Sequence, residues 1–368
     1  MQPKRFPTLA VILVIAMTLS LAPLTGAQSD VEISLLQWSH FVPRYDDWFD
    51  EYVAEWGETN GVSAQVDHIA LAELPGNLAA AIDAGEGPSI VELLFSPASF
   101  IEGLHDLSDV NAMATELYGE SLATCEATSY LPSIDQYYAF THSYVPDPGD
   151  YDIELWTEVG LPDGPQTYED LLVGGSQIRD ELGVPLGIGL SPELDSRMAV
   201  RAVMWSYGAS VQDADENVVI NSPETIEALN YMKALYEGAM TDEVFGWTAA
   251  SNNQGLISGD LSYILNSISA YRSLQKIDPV AADNIGFVPA LEGPAGAFAS
   301  SHVWQIYVIP TYVEGEELEL AKQFLLDHMG VADDITFNSE LYNFPCRPGA
   351  MSEGQLEEWV AEDPFGSN

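Results

Sequence analysis

Basic residues are scarce in this chain: 11 Lys and Arg stand against 57 Asp and Glu, a formal net charge of −46. A field of that sign repels nucleic acid, anionic lipid surfaces and polyphosphates, although an isolated Arg can still hold a small anion. An acidic surface poor in Lys suits concentrated salt, where screening relieves self-repulsion, so a saline habitat is the expectation. Cysteine is rarer still, with Cys125 and Cys346 alone. In an exported chain the two either form one long-range disulfide or stay as separate buried thiols. After Leu21 no apolar run is long enough to span a membrane. G-x-S-x-G, H-E-x-x-H and Walker sequences are missing, as is any Cys/His ligand spacing, so no catalytic set, metal or cofactor is expected. With so many acids, carboxylate pairs arise by chance and do not argue for a glycosidase.

What is present is a chain of 368 residues with 47% hydrophobic content, enough for two cored lobes of roughly 150 residues each. Its first residues read as an export signal: Lys4 and Arg5, an apolar stretch from Leu9 to Leu21, and a small-residue cleavage site at Thr25-Gly26-Ala27. Residues 1–27 are therefore expected to be removed, giving a periplasmic or extracellular protein. No Cys lies near the cleavage site, so a lipid anchor is not expected.

Val31–Trp38, Val62–Ile69 and Ser89–Phe95 read as buried strands with helical patterns between them, which predicts parallel βαβ units and an α/β fold. Pro43 suits a first helical turn, and Tyr45, Trp48, Phe49, Tyr52 and Trp56 follow at helical spacing, predicting a core-facing aromatic stripe. Trp38 and His40 lie instead where the first strand ends, the edge at which open α/β sheets bind ligands. Farther on, Thr167 and Asp170 have capping-box spacing. Ser222 and Pro223 open a helix with a predicted stripe of Ile226, Leu229, Met232 and Tyr236. Gly259–Tyr271 and Val303–Pro310 each contain a strand expected to cross between lobes, and Glu316–Met329 an amphipathic helix.

Ordered segments over nearly the whole chain resemble one family. "LWTEVGLPDGPQTYEDLLVGGSQI" resembles its Gly-Leu-Pro turn and Thr-capped helix. "VVINSPETIEALNYMKALYE" resembles its hairpin and Asn-Ser-Pro-Glu helix. "IGFVPALEGPAG", "ELAKQFLLDHM" and "YNFPCRPGAM" follow in the same order. The family is that of extracellular solute-binding proteins of ABC importers, in the group containing maltose-binding protein. The resemblance implies a two-lobed clamp with hinge strands and a ligand between the lobes. It assigns residues 28–140 plus 262–301 to the first lobe and 141–261 plus 302–368 to the second, with further crossings near Tyr144 and Ile306. It also implies a monomeric, non-catalytic protein that delivers a carbohydrate or polyol to the membrane subunits of an importer. The competing readings are a secreted glycoside hydrolase, or the same clamp holding a peptide or an organic anion.

Sugars present hydroxyls and weakly apolar CH faces, so their sites combine aromatic rings with Asp, Asn, Glu, His or Arg. Trp38 and His40 meet that need at one strand end and His68 at the next; a core Trp and a solvent-facing His are the plainer readings. Ser191–Trp205 reads as a helix with Pro192 first, placing Glu193, Asp195 and Arg197 in its opening turns, where the acids equally well offset the helix dipole. Trp247, Asn252 and Asn253 join stacking to amide chemistry, against a plain loop with an Asn cap. Asn266, His302 and Trp304 lie on the presumed crossings. Asp213–Glu224 nearly spells a calcium loop, but its sixth position is Val218 rather than Gly, and a hairpin leading into the Ser222 cap accounts for the same residues.

Overall fold

The computed structural model describes residues 31–213 and 217–365. The expected export signal and Asp215 of the calcium-like loop lie outside them. Three strands, β1 (Glu32–Trp38), β2 (Ser63–Ile69) and β3 (Ile90–Leu93), pair in parallel, with Leu35 opposite both Val66 and Ile90. Helix α1 (Pro43–Asn60) connects the first two, beginning with Pro43 and ending at Gly61, whose φ of 72° closes the helix in the left-handed region that a side chain disfavours. Tyr45, Phe49, Val53 and Trp56 form its buried face, spaced by three and four. Trp48 and Tyr52 flank that stripe and are only partly buried, so the predicted aromatic face is correct in direction but narrower than expected.

Strand β4 (Phe140–Tyr144) follows, and the chain then crosses through Val145-Pro146-Asp147-Pro148 into a second body. There β5 (Gly149–Asp152) is the middle of a three-stranded antiparallel sheet, between β6 (Tyr263–Leu265) and β7 (Ile285–Val288). Around it pack α2 (Tyr168–Leu182), α3 (Leu194–Ser206) and α4 (Pro223–Ala239). Thr167 and Asp170 form the predicted capping box, and Ser222 Oγ accepts from Thr225 N. The stripe predicted for α4 is corrected: Ile226 and Leu229 are 56% and 53% exposed, while Ala228, Tyr231, Leu235 and Ala239 face the core. Small Ala residues let α4 approach α2 closely, and Tyr231 donates its hydroxyl to the Tyr168 carbonyl at 2.7 Å.

The chain returns near residues 301–303 to form β8 (Trp304–Val308), which lies between β3 and β4, and β9 (Phe344–Pro345) ends the sheet, giving the order β9-β4-β8-β3-β1-β2. This corrects the segment assignment. Residues 262–301 were expected in the first lobe, but β6 and β7 complete the second sheet; residues 302–368 were expected in the second, but β8 and the helix Gly315–Met329 build the first core, where Phe324 and Leu325 are fully buried beside Tyr45 and Phe49. Ile306 packs on one face of β8 and Tyr307 on the other, the pattern of a central strand covered on both sides. The two crossings are hydrogen-bonded to each other: Val145 N donates to Val303 O, and His302 N to Val145 O. Cys125 and Cys346 are joined in a disulfide within the first body.

Candidate functional site

A cavity of about 700 Å³ opens between the bodies. Its first wall comes from the residues that follow the three parallel strands: Ser39 and Phe41 after β1, Ala70 and Leu71 after β2, Leu94 and Phe95 after β3. This is the carboxyl edge of the parallel sheet, where strand ends leave backbone and side chains facing solvent. The opposite wall comes from the start of α3, with Pro192, Glu193, Leu194 and Arg197, and from Trp247 and Thr248 after a short 3-10 turn, Asp242–Gly246.

Helix α3 begins two residues later than predicted because the Glu193 side chain caps it, accepting from Asp195 N and Ser196 N. Its carboxylate is thus held at the positive end of the helix. Trp247 is half-buried, packs against the apolar clusters of the second body, and has its carbonyl fixed by the Ser191 hydroxyl at 2.7 Å. Glu193, Arg197 and Trp247 are the predicted site residues that line the cavity.

Asp195 and His302 meet elsewhere, beneath that wall at the hinge. His302 Nδ1 lies 3.4 Å from Asp147 Oδ1 and 3.9 Å from Asp195 Oδ1, and all three side chains are buried. Burial lowers the affinity of His302 for its proton, but the hydrogen bond to Asp147 and the two carboxylate charges outweigh it and the pKa rises. Burial pushes the Asp195 carboxyl up to about 8, opposed by His302. Asn252, Asn253 and Asn266 also come together, but they pair internally. Asn266 donates to Asn253 Oδ1 at 2.8 Å, Asn253 donates to Ser269 Oγ at 3.0 Å, and buried Asn252 accepts from Asn253 N at 2.8 Å.

The remaining four predicted residues lie in the first body, also outside the cavity lining. Trp38 is fully buried in the first body's core. His40 is buried with Nε2 3.2 Å from Asn343 Oδ1 and Nδ1 accepting from Val42 N, and burial lowers its pKa to about 3, which keeps it neutral. Their neighbours Ser39 and Phe41 face the cleft instead, a difference of one residue at a strand end, where successive side chains take opposite sides. His68 binds Asp50 at 2.9 Å and fastens the edge strand to α1. Trp304 donates its indole N–H to Thr124 Oγ1. Phe95, Leu71 and Asp147 went unpredicted; Phe95 and Leu71 were marked only by following strand ends, Asp147 only by its place between two prolines. In the calcium-like loop Asp213 accepts from Asn217, and Gln212 bridges to Val218 as a hairpin. Among the described residues no group of three or more His, Cys, Asp or Glu is arranged to hold a metal.

The fold matches that of known proteins. The maltose-bound MalE3 of T. maritima superposes with a TM-score of 0.74 at 19% identity, covering 89% of this chain and 84% of that one. A sugar transporter from Arthrobacter chlorophenolicus A6 with bound laminaribiose gives 0.73 at 14% identity, covering 91% and 84%. A solute-binding protein from Agrobacterium radiobacter K84 in complex with ribitol gives 0.70 at 15%, covering 92% and 85%. In sequence, a binding protein of Brucella abortus is 22% identical over 149 residues; the match takes in 40% of this chain and 36% of that relative's length. The family described as bacterial extracellular solute-binding protein matches residues 51–364. A family match over most of the chain, on two α/β bodies with a cleft at the carboxyl edge of the sheet, leads to one conclusion: this chain belongs to the bacterial extracellular solute-binding proteins.

Proposed function

We propose that the protein captures a carbohydrate or polyol in this cleft and delivers it to the membrane subunits of an ABC importer. One observation carries the reading. Aromatic rings enter the cavity from both bodies, Phe41 and Phe95 from the first and Trp247 from the second, so a sugar ring between them touches both walls. The maltose, laminaribiose and ribitol held by proteins of the same fold support that ligand class. A solute that contacts both bodies favours the closed arrangement, and the paired crossings at Val145 and Val303 are where the bodies would turn. In this reading the protein is exported by residues 1–27, carries no lipid anchor and works as a monomer. Site candidates retained are Glu193, Arg197 and Trp247 in direct contact, with Asp195, His302, Asn252, Asn253 and Asn266 holding the wall behind them.

The test is thermal unfolding against a panel containing maltose, laminaribiose, ribitol and other sugars. A ligand at 100 times its Kd adds about 2.7 kcal/mol of stability and raises the midpoint. A panel in which no sugar or polyol moves the midpoint, at several salt concentrations, rejects the proposal.

A further inference from the structure

In a chain with so few cations, nearly every described basic side chain is committed. Arg179, Lys233, Arg272, Lys276 and Lys322 each hold a carboxylate within 2.9 Å. Arg44 lies over the Phe337 ring, and Arg347 donates to Thr115 and to backbone carbonyls. Arg197 differs. Among the described residues its guanidinium has no ion pair, hydrogen bond or ring contact, and it is exposed on the cleft wall beside Trp247.

The next residue on the same helix face adds to the positive charge. Arg201 follows one turn later, donates from Nε to the Arg197 carbonyl, and has its pKa lowered by burial and then by the Arg197 charge. Like charges at this spacing oppose helix formation, and an anion seated against them relieves that opposition. The acids close by do not fill the role. The Glu193 carboxylate is bound to the helix start, and Asp195 is buried below the wall, facing His302 rather than the cleft.

Resting on the reading of this cleft as a sugar site, we propose that its solute is an acidic saccharide, a uronate-type sugar whose carboxylate is gripped by Arg197 while its ring lies on Trp247. The planar guanidinium fork fits a carboxylate through two parallel N–H donations. The protein's overall charge selects for few negative charges on the ligand, since each further one meets a field of −46. A carboxylate is therefore favoured over a phosphate, which carries up to two charges at neutral pH.

Calorimetric titration of the full exported chain tests this with matched pairs: glucuronate against glucose, galacturonate against galactose, cellobiouronate against cellobiose, and glucose 6-phosphate as the doubly charged arm. The expected result is at least one uronate binding ten-fold or more tighter than its neutral partner. In Arg197→Gln the ratio falls to about one. Arg197→Lys, which keeps the charge without the fork, recovers part of it, and Lys233→Gln, on the far helix α4, changes nothing. Melting curves of each variant verify folding. Equal binding of neutral and acidic partners, tighter binding of glucose 6-phosphate, or a preference that survives in Arg197→Gln overturns the proposal and leaves the sugar site standing. If no sugar of either kind binds, both fall.

Discussion

Replacing Cys125 and Cys346 together by Ala should remove about 4 to 5 kcal/mol of stability, close to the whole margin of many domains. The disulfide spans a sequence separation of 221 residues. On the chain-entropy model, opening a loop of that size is worth about 5 kcal/mol at 25 °C. That loop contains the entire second body. If the second body stays folded while the first opens, the effective loop falls to roughly 70 residues and the figure only to about 4 kcal/mol, because the cost grows with the logarithm of length. The native positions do not need the bond: Leu122 N donates to Cys346 O at 2.8 Å, and Cys346 N to His142 O at 2.9 Å. The loss should therefore come from a freer unfolded chain rather than from a displaced fold. Urea unfolding of the parent and the double variant, compared at equal slope, measures it. A loss under about 1 kcal/mol refutes the loop-closure argument.

Trp247→Ala should weaken sugar binding by about 1–3 kcal/mol while leaving the melting midpoint nearly unchanged, and unaltered affinity in the folded variant removes Trp247 from the site. Phe49→Ala should cost about 3–5 kcal/mol of stability, with Trp48→Ala costing clearly less because that ring only flanks the core; the reverse ranking in chemical unfolding contradicts the assigned face. Asp195 keeps its proton up to about pH 8 in the fold, against an ordinary 3.8, so its stabilising share is complete below about pH 4 and is lost as pH rises through 8. Asp195→Asn should thus gain on the parent as pH rises over that window, by more than about 1 kcal/mol in total. A difference that stays flat with pH rejects the burial argument.

Local rules carried much of the fold. The capping box of Thr167 and Asp170, the Ser222–Pro223 start and the three parallel strands all follow from short-range hydrogen bonding and side-chain periodicity, and each stands where the sequence indicates. Sheet membership was not legible. Nothing within Tyr263–Leu265 or Trp304–Val308 names the strands they will pair with, because that choice is made by residues more than a hundred positions away. The same holds for the site. Trp38 and Phe41 are both rings at the end of one strand, and which of them faces the cleft depends on the core that Tyr342 and Val91 build around Trp38. For α4, an apolar residue on nearly every face left the buried side to be decided by Tyr168 and its neighbours.

The central place of β8 has a consequence for the order of events during synthesis. Until residues 304–308 emerge, β3 and β4 have no partner between them, and each offers an open row of N–H and C=O groups. The second body, continuous from Gly149 to about residue 300, has its three strands in hand well before that. The nascent protein therefore carries a finished second lobe, inserted in the middle of the chain, and an unfinished first one until its last fifth arrives. Such late, long-range closure makes the first lobe the slow step of folding.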